Sequence, residues 1–203
     1  MDGDLPKVIS DLKFSQHGLV VTDSGLSVPA YVGSQLGFNA PGREYLKSLY
    51  AKLREVSVWP ICPFKASDEN LSAPLFDGTR TLDDLTVDWG RFNTGIGKTN
   101  YEQLMPYCKL MIAVMDGGHA IDDGLSAEIA YFAVKHGLVL GIRSDFRLAE
   151  NIAAPINPAV RYFLDMGPFN GHFFYGTDAH KEALHFLKEF AQKLTKIESV
   201  STV

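Results

Sequence analysis

Apolar residues fall into two alternating patterns along the chain: short continuous runs, and stripes spaced three or four apart. The runs "VPAYVG" (28–33), "VSVWPI" (56–61), "KLMIAVMDG" (109–117), "LVLGIRSD" (138–145) and "HFFYG" (172–176) read as strands. Runs with no polar alternation are typical of strands buried on both faces of a parallel sheet. The second run is expected to stop at Pro60 and Pro63. Between the runs lie helical stripes. Tyr45, Leu46, Leu49, Tyr50 and Leu53 form the first, with Asn39 placed as N-cap and Pro41 in the opening turn. A short helix is expected over 99–107. Another spans 124–136, with the stripe Leu125, Ile129, Phe132 and Ala133 and a stop at Gly137. One more is expected near 158–165. The last runs from Thr177 or Asp178 to about 197, striped by Ala183, Leu184, Leu187, Phe190, Ala191 and Leu194. Residues 1–27 give a weak signal, although "GLVVTDSG" suits a short strand or hairpin arm.

This alternation predicts a single α/β domain over 1–203, with a mainly parallel central sheet flanked by helices, Rossmann- or flavodoxin-like. Residues 1–27 then form an N-terminal extension. The irregular segment 64–98 is the exception to the rhythm. A loop of that length in a compact domain is usually a lid or binding loop, and it is expected to border the active site. Ligands in open α/β sheets sit beyond the carboxyl ends of the strands. The segments there are "GSQLGF", "DGGHAIDDG" and "RSDFR", all polar or glycine-rich.

Composition narrows the function. The 203 residues are 46% hydrophobic and 21% charged, with a net charge of -5. That balance suits a soluble domain and excludes a binder of nucleic-acid backbone, which needs a basic face. No apolar run approaches the roughly 20 residues that cross a bilayer, so no membrane association is expected. The first residues lack the basic and apolar regions of a secretory signal. Cys62 and Cys108 lie among apolar neighbours and read as buried thiols, which fits a cytoplasmic location.

Several familiar motifs fail on inspection. "NTGIGKTN" ends like a phosphate loop at Gly97, Lys98 and Thr99, but the opening glycine would fall on Phe92. "GSQLGF" has the context of a dinucleotide fingerprint but carries Gln35 and Phe38 where glycines belong. It is either a tight turn or a place where a ligand nears the backbone. The six histidines show no zinc-site spacing, and Ser126 lacks the glycines of a nucleophile elbow. No metal and no cofactor is called for.

The acids remain. Asp116 ends an apolar strand, as a turn former or a functional group. Asp123 suits the cap of the following helix, which leaves Asp122 without a capping job. Glu128 is the odd residue. At about 100° per residue it stands about 60° from Leu125 and about 40° from Phe132, on the core-facing stripe. A buried carboxylate without a partner costs several kcal/mol. It is there for an ion pair or loop contact, or because the stripe faces a cleft at the helix's N-terminal end.

The run "LMIAVMDGGHAIDDGLSAEIAYFAVKHGLVLGIRSDFR" resembles the nucleoside 2-deoxyribosyltransferases: an apolar strand ending in D-G, an acidic loop, a helix bearing a glutamate, and a strand ending near R-x-D-x-R. "VPAYVGSQLGFNAPGREYLKSLYAKL" resembles the family's opening strand and helix, and "INPAVRYFLD" a later segment. The likeness covers about 28–64 and 99–166. It implies double displacement at a sugar's anomeric carbon, with Glu128 as nucleophile, Asp122 as a pocket acid that touches substrate, and Tyr31 orienting Glu128. Gly33, Asp116 and Gly117 would line the substrate. The family's further base-contacting aspartate falls here on Asn100 or Tyr101. Leu125 replaces a usual threonine and Ala130 a usual glycine.

The expected partners are a deoxynucleoside and a free nucleobase, in a homodimer or higher oligomer. A sister group that cleaves nucleoside 5′-monophosphates carries a serine at the position of Asp122; a carboxylate there would repel a phosphate. Two alternatives stand beside transfer: an N-glycoside hydrolase of nucleosides or nucleotides, and a non-catalytic nucleotide-binding protein on the same fold.

Overall fold

The structure is a computed structural model that describes residues 5–68, 95–118, 120–145 and 155–201. Its elements, in chain order, are α1 (Lys7–Ser10), β1 (Val20–Thr22), β2 (Gly25–Ser34), α2 (Ala40–Glu55), β3 (Val58–Ile61) and α3 (Pro63–Asp68). A π-helix (Lys98–Leu104) and a 3-10 turn (Met105–Tyr107) lead into β4 (Leu110–Val114), α4 (Asp123–Lys135) and β5 (Val139–Arg143). Then come α5 (Pro158–Arg161), a π turn (Tyr162–Met166), β6 (His172–Tyr175) and α6 (Ala179–Ser201). The fold is α/β, with six strands in a mostly parallel sheet among the described residues.

The parallel part of the sheet runs β3-β2-β4-β5-β6, and β1 pairs antiparallel with the start of β2. The chain steps from β2 outward to β3, then returns to lay β4 on the other side of β2. That reversal is the topological switch point of a flavodoxin-like order. The two crossovers leave opposite faces there, and in open α/β sheets ligands bind outside the carboxyl ends of the strands at such a point, here the ends of β2 and β4.

Period-two alternation sorts each strand's side chains between the two faces. From β2 and β4, Val28, Ala30, Val32, Leu110, Ile112 and Val114 pack with Leu46, Leu49 and Leu53 of α2 and with Ala183, Leu187 and Ala191 of α6. Tyr31, Met111, Ala113 and Met115 point the other way, into a core with Leu104, Leu125, Ile129, Phe132 and Leu164. Both faces are covered, which is why these strands read as unbroken apolar runs.

Helix ends follow the sequence chemistry. Asn39 Oδ1 accepts the Gly42 N–H at 2.7 Å, capping α2. Gly137 closes α4 with φ +107° and its N–H donating to the Phe132 carbonyl at 2.9 Å. Four expectations need correction. β2 begins at Gly25, so it is longer than its apolar run. β3 begins at Val58, two residues into its run, because Ser57 with φ +58° still belongs to the turn after α2; it ends at Ile61 as the run does, Pro60 being tolerated on an edge strand. A helix, α3, stands at the start of the segment read as irregular; residues 69–94 of that segment lie outside the described residues. The 99–107 helix is wound as a π-helix followed by a 3-10 turn.

The N-terminal extension is part of the core where it is described: Ile9, Leu19 and Val20 are buried. Cys108 is buried, Cys62 half-buried, and both are free thiols. Among the described residues no helix is long and apolar enough to cross a membrane.

Candidate active site

Glu128 lies in the second turn of α4, between Leu125 and Phe132 on the stripe that faces the sheet. Leu125, Ile129 and Phe132 are at most 2% exposed, and Glu128 is 9% exposed. The helix therefore carries a carboxylate into an apolar interface, as its sequence pattern indicates. Two neutral donors meet it. Tyr31 Oη, from β2, donates to Oε1 at 2.6 Å. Asn100 Nδ2, from the π-helix, donates to the same oxygen at 2.9 Å. Among the described residues no hydrogen bond reaches Oε2.

What lies beside Oε2 is the backbone of Gly33. A Cβ built on Gly33 would stand 2.9 Å from Oε2, 2.8 Å from Leu125 Cδ1 and 3.0 Å from Met111 Cε. Any side chain at that position would displace the carboxylate or its packing. The requirement for glycine here is steric, since its φ is not in the left-handed range.

Burial pushes the Glu128 carboxyl up, and Asp122's charge adds to that. The bonds from Tyr31 and Asn100 pull it back only in part, to about 7. The Tyr31 phenol, itself wholly buried and next to this carboxylate, is held well above its ordinary range. It therefore stays a proton donor. Tyr101 is half-buried, rests edge-on against Tyr131 at 4.8 Å, and is raised by burial and by Glu128's charge. The geometry thus gathers Tyr31, Gly33, Asn100 and Tyr101 around Glu128.

The acidic loop departs from expectation. α4 begins at Asp123, so the N-cap is Asp122: its Oδ2 accepts the Leu125 N–H at 3.1 Å, and Asp123 is the first helical residue. The reading that Asp123 caps and Asp122 has no structural task is corrected. Asp122 still stands close enough to raise Glu128.

Asp116 is fully engaged with its own neighbours. Its Oδ1 accepts from the Ser144 N–H at 2.7 Å and the Asp145 N–H at 3.1 Å. Its Oδ2 takes the Ser144 hydroxyl at 2.8 Å and lies 3.1 Å from His180 Nε2. Burial raises this carboxyl, but the bonds from His180, Ser144 and Asp145 outweigh it, and the net direction is down. Asp116 thus ties the ends of β4 and β5 to the start of α6. Gly117, with φ +99°, donates its N–H to Asp145 Oδ2 at 3.2 Å, and a Cβ there would meet Leu36. Both residues are committed to shaping the loop in this structure.

Three participants were not singled out from the sequence. Gln35 bridges the loop, donating to the Asp116 carbonyl and accepting from the Asp122 N–H. Arg143, wholly buried at the end of β5, donates to Asp145 Oδ1 at 3.0 Å and to the Gly118 carbonyl at 3.2 Å. Its signal was available: a cation ending a run that must be buried on both faces. His180 also contacts the Tyr45 hydroxyl, at 2.6 Å from Nε2. Nothing in spacing links residues so far apart in the chain.

No family model matches the chain, and no curated protein matches it. A solved structure, the "conserved protein from Enterococcus faecalis V583", is similar in fold. The similarity covers 80% of this chain and 98% of that one, with a TM-score of 0.51 and 16% sequence identity. At that identity the likeness concerns the α/β architecture.

Proposed function

We propose that the protein transfers 2-deoxyribose between nucleobases by double displacement, with Glu128 as nucleophile. One observation carries the reading: both donors hold Oε1, while Oε2 is left beside a glycine that nothing larger could replace. A carboxylate so oriented has one oxygen fixed by two donors and the other without a hydrogen bond among the described residues, which leaves its lone pairs for a bond to carbon.

In the first step Oε2 attacks C1′ of a deoxynucleoside. The C1′–N bond breaks, its electron pair goes to the base nitrogen, and the base leaves with a proton taken from water or another donor. The sugar remains as an ester on Glu128. In the second step a ring nitrogen of an incoming base attacks C1′, loses its proton, and expels the carboxylate. Two inversions give net retention, as in retaining glycosidases. Splitting the exchange into two displacements lowers the barrier of each. Tyr31 and Asn100 keep the carboxylate in place through both steps, without reorganisation. Asp122, capping the helix nearly two turns before Glu128, adds negative charge near a developing oxocarbenium centre. Asn100 and Tyr101 border the space a base would occupy.

The test is incubation with a deoxynucleoside and a different free purine base, followed by chromatography. A new deoxynucleoside is expected; release of free base alone would mean hydrolysis, and no change in either compound would end both enzymatic readings. Without an acceptor, mass spectrometry should find one deoxyribosyl unit on the peptide that contains Glu128. The substitution Glu128→Gln should abolish both results.

A further inference from the structure

Gln35 follows β2 directly and faces the loop that joins β4 to α4. Its Nε2 donates to the Asp116 carbonyl at 3.0 Å, and its Oε1 accepts the Asp122 N–H at 3.1 Å. Asp116 is the second residue past β4 and Asp122 the last before α4, so the two bonds span the loop. A Cβ on Gly118 would stand 2.6 Å from Gln35 Nε2, so Gly118 lies directly against the carboxamide. Arg143 and Asp145 hold Gly118 and Gly117, in the near half of the loop. Gln35 holds the far end, where Asp122 caps the helix that carries Glu128.

We propose that Gln35 is a positioning residue: its carboxamide clasps both ends of the 116–122 loop and thereby sets Asp122 and the first turns of the Glu128 helix. The inference rests on the reading of Glu128 as nucleophile. The chemistry of the clasp needs an amide. One peptide group offers a carbonyl and the other an N–H, so the bridging group must donate and accept at once. A glutamate could take the Asp122 N–H but would oppose the Asp116 carbonyl, and a leucine could do neither. An asparagine is a methylene too short to span both. Reaction geometry is sensitive to such supports, because a shift of about 1 Å in a reacting group can cost about a hundredfold in rate.

The experiment compares the full chain with its Gln35→Leu and Gln35→Glu variants. NMR exchange of the Asp122 amide proton is measured without ligand, and kcat and KM with a deoxynucleoside and a free purine base. In Gln35→Leu the amide should exchange at least about tenfold faster, since it has lost its acceptor. Its kcat should fall about tenfold to a hundredfold while KM stays within about threefold. In Gln35→Glu the amide should stay protected and kcat should fall between the other two. A residue needed only for folding would lower the melting temperature and leave kcat per folded molecule alone. Unchanged exchange in Gln35→Leu overturns the clasp. Faster exchange with unchanged kcat overturns the positioning role. If the unsubstituted protein turns over no nucleoside, the functional reading fails, and the amide exchange still decides whether Gln35 holds the loop.

Discussion

Replacing Glu128 by glutamine should stabilise the protein at neutral and alkaline pH. The carboxyl titrates near 7 in the folded chain, against 4.5 as its ordinary value. Those values stand 2.5 pH units apart (7 − 4.5). Below 4.5 the proton is bound in both states and the group contributes no pH dependence. Above it the unfolded chain releases the proton first, so stability falls as pH rises, until the folded carboxyl also ionises near 7. At about 1.36 kcal/mol per unit, the loss between pH 4 and 8 comes to about 3 kcal/mol. Glutamine does not titrate, keeps an Oε1 to accept from Tyr31 and Asn100, and fills nearly the same space. Other titrating groups, Asp116 included, are common to both proteins and cancel in the difference. Urea unfolding of the two proteins at pH 4, 6 and 8 measures it. Their stability difference should move toward the variant by about 3 kcal/mol over that range. A difference that stays flat within about 1 kcal/mol would refute the argument that an ionised Glu128 strains the fold.

Tyr31→Phe removes the shorter of the two bonds to Oε1. A hydrogen bond to a charged group contributes roughly 1.5–3 kcal/mol, so kcat/KM should fall about tenfold to a hundredfold. Its rising limb, expected near pH 7 because the nucleophile must be ionised, should move to higher pH; pH–rate profiles of the deoxyribosyl transfer check both. Gly33→Ala forces a methyl to within 3.0 Å of Glu128, Leu125 and Met111. Overpacking of that kind should destabilise by about 1–3 kcal/mol in urea unfolding and reduce transfer by more than about tenfold. Ser57 follows α2 with φ +58°, a left-handed conformation on an exposed residue. Ser57→Gly should therefore raise stability by about 1 kcal/mol, read by the same unfolding, with transfer unchanged.

Elements whose cause is local were legible in the chain. Unbroken apolar runs marked strands covered on both faces, and Asn39 and Gly137 marked helix ends because capping is a matter of one or two residues. Glu128 showed itself by standing on a stripe. What failed was whatever depends on neighbours set by strand order. Asp116 meets Ser144 only because β4 lies beside β5, and meets His180 only because α6 starts over the same edge. The choice of cap between Asp122 and Asp123 turned on backbone angles that two adjacent aspartates do not reveal: Asp122 holds ψ 140° and so stands outside the helix.

Two carboxylates near the carboxyl ends of β2 and β4 differ in how far their surroundings satisfy them as charges. Asp116 has partners on both oxygens, including two backbone N–H groups, and its carboxyl is driven down into the ionised form. Such a group is satisfied as a charge. Glu128 is the reverse. It is more deeply buried, has bonds on one oxygen only, and is held near 7. A carboxylate kept for stability alone would gain from a cation or a second set of donors, and the site supplies neither to Oε2 among the described residues. In the mechanism we propose, that stabilisation is recovered when Oε2 bonds to carbon, because the ester is neutral and the desolvation penalty on the charge disappears. The fold thus disfavours the ionised form of Glu128, which is the direction that the double displacement we propose requires of its nucleophile.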